Sequence, residues 1–216
     1  MEDFIPNPDL EKKNNESPYF ICTQCGECCH IREEKNIDKA QESKYFSYIY
    51  RKFGIIYLAS LSEITINIWP EEKDALEKEA KSRGMELSIK PKRAVYDSKN
   101  DFLIILDYFI DHDICPFFDR EKKLCTVYDK RPLICHSYPM LTTRALGKCK
   151  YKKLDLGAYK EEKGFAAKLE NRTEAIKRMV SGMIEKGEID NTLGIQELDS
   201  RIKKAKIKEL KIATRE

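Results

Sequence analysis

The chain has 216 residues, 41% of them hydrophobic and 36% charged, with a formal net charge of +3. That length allows one substantial buried core, and the composition excludes fibrous and membrane-spanning classes: no apolar run approaches the roughly 18 residues a span needs, Phe102 to Leu106 being stopped by Asp107. The charge is uneven, with 21 Lys and Arg against 25 Asp and Glu up to position 143 and 19 against 12 beyond it. Acids such as Glu161, Glu162, Glu170 and Glu174 interrupt the basic part, and no base-stacking aromatics accompany it. Nucleic-acid binding is therefore disfavoured against a solvated helical face.

Residues 1–17, with Pro6, Pro8 and Asn14-Asn15-Glu16-Ser17, read as a weakly ordered lead-in. The N-terminus is acidic and proline-broken rather than charged and then apolar, so a cytoplasmic, reducing location is expected. Phe46, Ile49, Tyr50 and Phe53 recur at i, i+3, i+4 and i+7, which predicts a helix over about 38–53 ended by Gly54. Ile64, Ile66 and Ile68 alternate with polar neighbours as in a half-buried strand. Pro70 suits the first turn of a helix with Glu71, Glu72 and Asp74 near its positive end and Gly84 beyond its close. The thin apolar face of that helix, Ala75, Leu76 and Ala80, predicts a surface position.

Ala94-Val95-Tyr96 and Phe102 to Leu106 flank Asp97-Ser98-Lys99-Asn100 and predict a β-hairpin whose second strand is buried on both faces. From 111 to 149 the chain is rich in prolines and cysteines and poor in apolar runs, so metal ligation is the expected source of its order. Phe165, Leu169, Ile176, Met179, Val180 and Met183 make a helical stripe that Gly187 can end. A second helix is predicted over about 195–212, using Ile195, Leu198, Ile202 and Leu210. The division expected is a cysteine-cluster domain over 18–150 and a helical extension over 151–216.

Chemistry is carried by Cys22-Thr23-Gln24-Cys25-Gly26-Glu27-Cys28-Cys29, with Cys115, Cys125, Cys135 and Cys149 downstream. Eight thiols in a reducing compartment point to metal or redox chemistry rather than to disulfides. A C-x2-C turn brings two sulfurs onto one ion, so Cys22 and Cys25 are expected to share a site, and Gly26 supplies the permissive backbone of a tight knuckle. Adjacent side chains diverge, so Cys28 and Cys29 suit two neighbouring sites, or one ligand and one free or bridging thiol. Two sites of four thiolates, one four-thiolate cluster, and a thiolate-bridged pair of ions all satisfy the count.

Cys22, Cys25 and Cys28 match the first three ligands of the ferredoxin run C-x2-C-x2-C-x3-C-P, but Arg32 stands at the fourth. The remote Cys115-Pro116 can complete such a set, which favours a 4Fe–4S cluster over zinc. Radical chemistry on S-adenosylmethionine is disfavoured, because C-x3-C-x2-C started from Cys25 and Cys29 also ends on Arg32. His30, His112 and His136 each lie within three residues of a cysteine; a hydrogen bond to a thiolate, or plain exposure, is preferred to ligation. Arg131 can offset thiolate charge or bind an anionic substrate, or simply pair with Asp129 or Asp119. Tyr128 and Tyr138 read as packing around the site.

The motifs Phe20-x-Cys22-x2-Cys25-Gly26-x-Cys28-Cys29, Cys115-Pro116-Phe117 and Cys125-x-Val127-Tyr128-x2-Arg131-Pro132-x2-Cys135-x2-Tyr138-Pro139 resemble the YkgJ-like cysteine-cluster family. The resemblance implies zinc or iron chelation at the cysteines, and its members are often labelled iron–sulfur proteins. His136 departs from it, standing where that family tends to carry Arg. Some relatives resemble lysine N-methylases acting on flagellin, but no G-x-G-x-x-G fingerprint accompanies the cysteines here. The expectation is thus an α+β metal-stabilised domain in which Cys22, Cys25 and Cys28 combine with Cys115, Cys125 or Cys135. The role expected is structural or electron-transferring, with a modifying enzyme or a thiol-based metal and redox module as alternatives, and an unidentified protein or small molecule as partner.

Overall fold

The computed structural model describes residues 22, 26–32, 36–141, 144–145 and 159–210. The expected lead-in over 1–17, and the cysteines Cys25 and Cys149, lie outside them. The class is α+β, as the sequence predicts.

Helix α1, Lys39–Phe53, starts where the Asp38 carboxylate accepts the amides of Ala40 and Gln41. It ends where Gly54, at φ 66°, donates its amide to the Tyr50 carbonyl. The short strands β1, Ile55–Tyr57, and β2, Asn67–Ile68, follow; only the last residues of the isoleucine alternation are paired. Helix α2, Pro70–Ser82, opens on Pro70 and a Glu72 carboxylate that accepts the Trp69 amide at 2.8 Å. Leu76 and Ala80 are buried and Ala75 is exposed, so the thin face does reach the core.

The hairpin strands β3, Ile89–Asp97, and β4, Phe102–Ile110, extend further than their apolar runs predict. The ladder survives irregularities between Pro91 and Ala94, where Pro91 has no amide to donate and the side-chain alternation breaks. Its turn is held by the Asp97 carboxylate, which accepts the amides of Lys99 and Asn100. β4 is buried along most of its length, including Asp107, whose charge is met by Arg93 on β3.

After β4 come two miniature hairpins, β5 (Phe118–Asp119) with β6 (Leu124–Cys125), and β7 (Met140–Leu141) with β8 (Arg144–Ala145). Between them lies a one-turn helix, α3, Leu133–Ser137. Helix α4, Lys160–Glu185, then runs to Gly187 at φ 64°.

The predicted helix over 195–212 is corrected by the structure. Helix α5 stops at Ile195–Ile202, the chain turns through Lys203 to Ala205, and Lys206–Glu209 becomes strand β9, parallel to β4. The physical reason is non-local: beyond its two-residue pairing with β2, β4 leaves amides and carbonyls that a neighbouring strand satisfies. Leu210 is buried against Leu106, Val95 and Ile176 instead of completing a helical stripe.

The resulting sheet runs β1-β3-β4-β2, with β9 beside β4. Ile104 and Leu106 of β4 face one cluster, where α4 contributes Ile176 and Val180. Leu103 and Ile105 face another, where Leu76, Ala80, Phe117 and Val127 pack, with Cys115 and Cys125 against them. The cysteine-bearing loops therefore cover the sheet face opposite α4. Among the described residues no helix is long and apolar enough to cross a membrane.

Candidate metal centre

The N-terminal cysteine run enters as a 3-10 turn, Glu27–Cys29, behind Gly26 at φ 85°. The Cys29 amide donates to the Gly26 carbonyl at 2.8 Å. A Cβ on Gly26 would lie 2.0 Å from Cζ of Phe118, so only glycine fits both the left-handed backbone and the ring beside it. The chain then runs antiparallel to residues 113–115. Ile31 and Arg32 donate their amides to Asp113 at 3.0 and 3.1 Å, and Cys115 donates to the Cys29 carbonyl at 2.8 Å. Arg32, the residue at the missing fourth ligand position, makes ion pairs with Asp111 at 2.6 Å and Asp113 at 2.7 Å. It fastens the two segments by charge.

Downstream, the β5–β6 hairpin sets Phe118 opposite Cys125, and Thr126 donates both its amide and its hydroxyl to the Phe117 carbonyl. In this frame the Phe117 amide donates to the sulfur of Cys115, and the Val127 amide to that of Cys125. Each is an amide two residues beyond its cysteine, the arrangement that favours thiolate in metal-binding turns. Cys135 rides on α3, whose first amide, that of Leu133, is accepted by Glu72 of α2 at 2.6 Å.

None of the described cysteines is in a disulfide, and all are partly exposed. Cys115 senses the charge of Cys28 and Cys125, Cys125 that of Cys28, Cys135 that of Cys28, Cys115 and Cys125, and Cys29 that of Cys28, Cys115 and Cys125. Burial pushes the Cys115 thiol up to about 12 and that of Cys135 well above its ordinary value. The Cys29 thiol donates to Cys28, which lowers Cys28 and raises Cys29. The guanidinium of Arg131 lies 3.7 Å above the centre of the Tyr128 ring and donates from Nε to the Tyr128 carbonyl at 3.0 Å. From there its positive charge favours thiolate at Cys28, Cys125 and Cys135. Cys22 hydrogen-bonds with the Tyr128 hydroxyl, on the same patch.

The histidines take other roles. His112 accepts the Ser88 amide on Nε2 at 2.9 Å. His136 stacks on Phe165 of α4 with centroids 4.7 Å apart, and burial, then Arg131, lower its basicity. His30 makes a β-bridge with Ile114.

Among the described residues no group of three or more His, Cys, Asp or Glu side chains is already disposed around a metal ion. The chemistry of the donor set fits zinc or iron nonetheless: sulfurs from two remote segments, amide donors aimed at two of them, and a cation to offset thiolate charge. For Glu72, Phe118 and Asp111, sequence reading gives no contact at the centre; it places Glu72 only near the start of α2. None lies in a cysteine motif, and their roles appear only once distant segments meet.

Residues 21–159 match the model of a family, CxxCxxCC, described as a putative zinc- or iron-chelating domain. No curated protein and no solved structure matches the chain.

Proposed function

This chain belongs to the CxxCxxCC family, a putative zinc- or iron-chelating domain, and on that premise we propose that its thiols hold a metal centre, an iron–sulfur cluster of the 4Fe–4S type or zinc. Cys28, Cys115, Cys125 and Cys135 are the inner donors. Cys22, Cys25, Cys29 and Cys149 supply thiols for a second ion or a bridging ligand. The role is structural or electron-transferring.

The observation that carries this reading is that the charge of Cys28 reaches Cys115, Cys125 and Cys135 from a segment joined to theirs by the peptide hydrogen bond between Cys115 and Cys29. Burial keeps several of them protonated, so metal uptake would release protons as it ties 26–32 to 111–137. Arg131 and the Phe117 and Val127 amides stabilise the resulting negative charge. Anaerobic purification, with metal analysis, acid-labile sulfide and a visible spectrum on one sample, tests it. Iron and sulfide in comparable amounts establish a cluster; a colourless protein with zinc makes the centre structural; absence of metal in freshly made, reduced protein overturns the reading.

A further inference from the structure

Residues of α1, β1, β3 and α4 enclose a cavity of about 330 Å³, a volume in the range that holds small ligands. No cysteine lines it. Its walls are apolar, built from Ile49, Phe53, Ile55, Ile176, Val180 and Ile184. The charged residues of the lining are all cations: Lys52, Arg93 and Lys177.

Two of those cations are already balanced. Arg93 is paired with the fully buried Asp107, and Lys177 with Glu174 one turn back at 2.6 Å. Lys52 donates instead to the Tyr48 hydroxyl at 2.8 Å and lies 5.2 Å from the centre of the Phe53 ring. One positive charge is therefore in surplus at an apolar chamber. The Tyr45 and Tyr57 hydroxyls, hydrogen-bonded to each other, add neutral polar groups; burial pushes the Tyr57 phenol up to about 12.

We infer that this cavity binds a singly charged amphiphile, a free carboxylate with a short hydrocarbon body, whose chain lies among Ile49, Phe53 and Val180 and whose carboxylate meets Lys52. A neutral body alone would gain nothing from the Lys52 charge at the mouth, and a doubly charged phosphate would exceed the one surplus charge. Phe53 and the neighbouring Tyr45 and Tyr48 stay exposed, 38%, 42% and 52%, as the mouth of such a chamber requires.

The test is calorimetric titration of the full chain with octanoate, and in parallel with 1-octanol. Octanoate should saturate one site per chain and bind at least about tenfold more tightly than octanol. Lys52→Met, a change at an exposed position, should remove that advantage while octanol binding stays the same. Ser181→Trp, exposed at the lining, should abolish both; if that variant does not fold, Lys52→Met carries the test alone. No saturable octanoate binding at millimolar concentration, equal affinity for octanol, or an octanoate affinity unchanged by Lys52→Met would each overturn the inference. Flotation with vesicles of anionic phospholipid should carry none of the protein; flotation that Ser181→Trp prevents would replace the free acid with a membrane-borne chain.

Discussion

Cys115 donates its amide to the carbonyl of Cys29 at 2.8 Å, so the two cysteine-bearing segments of the chain share a backbone hydrogen bond before any metal is considered. The amides of Ile31 and Arg32 reinforce it through Asp113. Ile31 and Phe117 anchor this contact in the core, but the cysteine side chains themselves remain partly exposed, and their thiolates repel one another without a cation between them. Stripping the metal with a chelator under reducing conditions should therefore destabilise the protein by at least about 3 kcal/mol, a fall in Tm of roughly 6–12 °C. Hydrogen exchange should report it first at the amides of 29–32 and 113–118. Unchanged exchange there would mean the segments stand without metal.

Serine at Cys28, Cys115, Cys125 or Cys135 keeps the shape of the side chain and removes the soft donor. Metal retained through gel filtration should fall at least about tenfold for each of the four. Full metal content in any one of them would remove that residue from the inner set.

Gly26→Ala places a methyl group against the Phe118 ring and a side chain on a left-handed backbone, φ 85°. The expected cost is about 2–4 kcal/mol in urea unfolding. Pairing it with Phe118→Ala should recover the steric part, leaving the roughly 1–2 kcal/mol backbone penalty plus the lost ring. Strictly additive effects would show that the two positions do not meet.

Asp111 lies between Lys90, at 2.5 Å, and Arg32, at 2.6 Å, and their hydrogen bonds hold its carboxyl below the ordinary aspartate value. A folded value below the unfolded one means that protonation favours the unfolded chain. The contribution is thus complete above the unfolded value of 3.8 and is lost as pH falls through the folded value. Asp111→Asn should cost about 1 kcal/mol near neutral pH, and the gap to the parent protein should close on acidification below about pH 4. A gap that persists in acid would point to packing rather than charge.

Leu210 closes the cluster between the sheet and α4, opposite the cysteine face. Leu210→Ala should lower stability by about 2–4 kcal/mol and leave metal stoichiometry unchanged. If metal content fell with stability under native conditions, the two faces of the sheet would be energetically coupled.

Much of this molecule is legible along the chain, because its signals are local. Asp38 and Gly54 bracket α1, Pro70 opens α2, Asp97 turns the hairpin, and the stripe from Leu169 to Met183 makes α4. Each depends on neighbours within one or two turns, so periodicity and capping chemistry suffice. The cysteine spacing likewise points to metal without any fold in hand. What the spacing cannot reach is contact between remote segments: Phe118 over Gly26, Glu72 on the Leu133 amide, Arg32 paired with Asp111 and Asp113. The strand β9 is the clearest instance. Lys206 to Glu209 carries no strand signal strong enough to end a predicted helix, and only the unpaired edge of β4 makes it one. Local free energies decided the helices and the turn; the non-local need to satisfy backbone groups and fill buried volume decided which thiols, charges and strands come together.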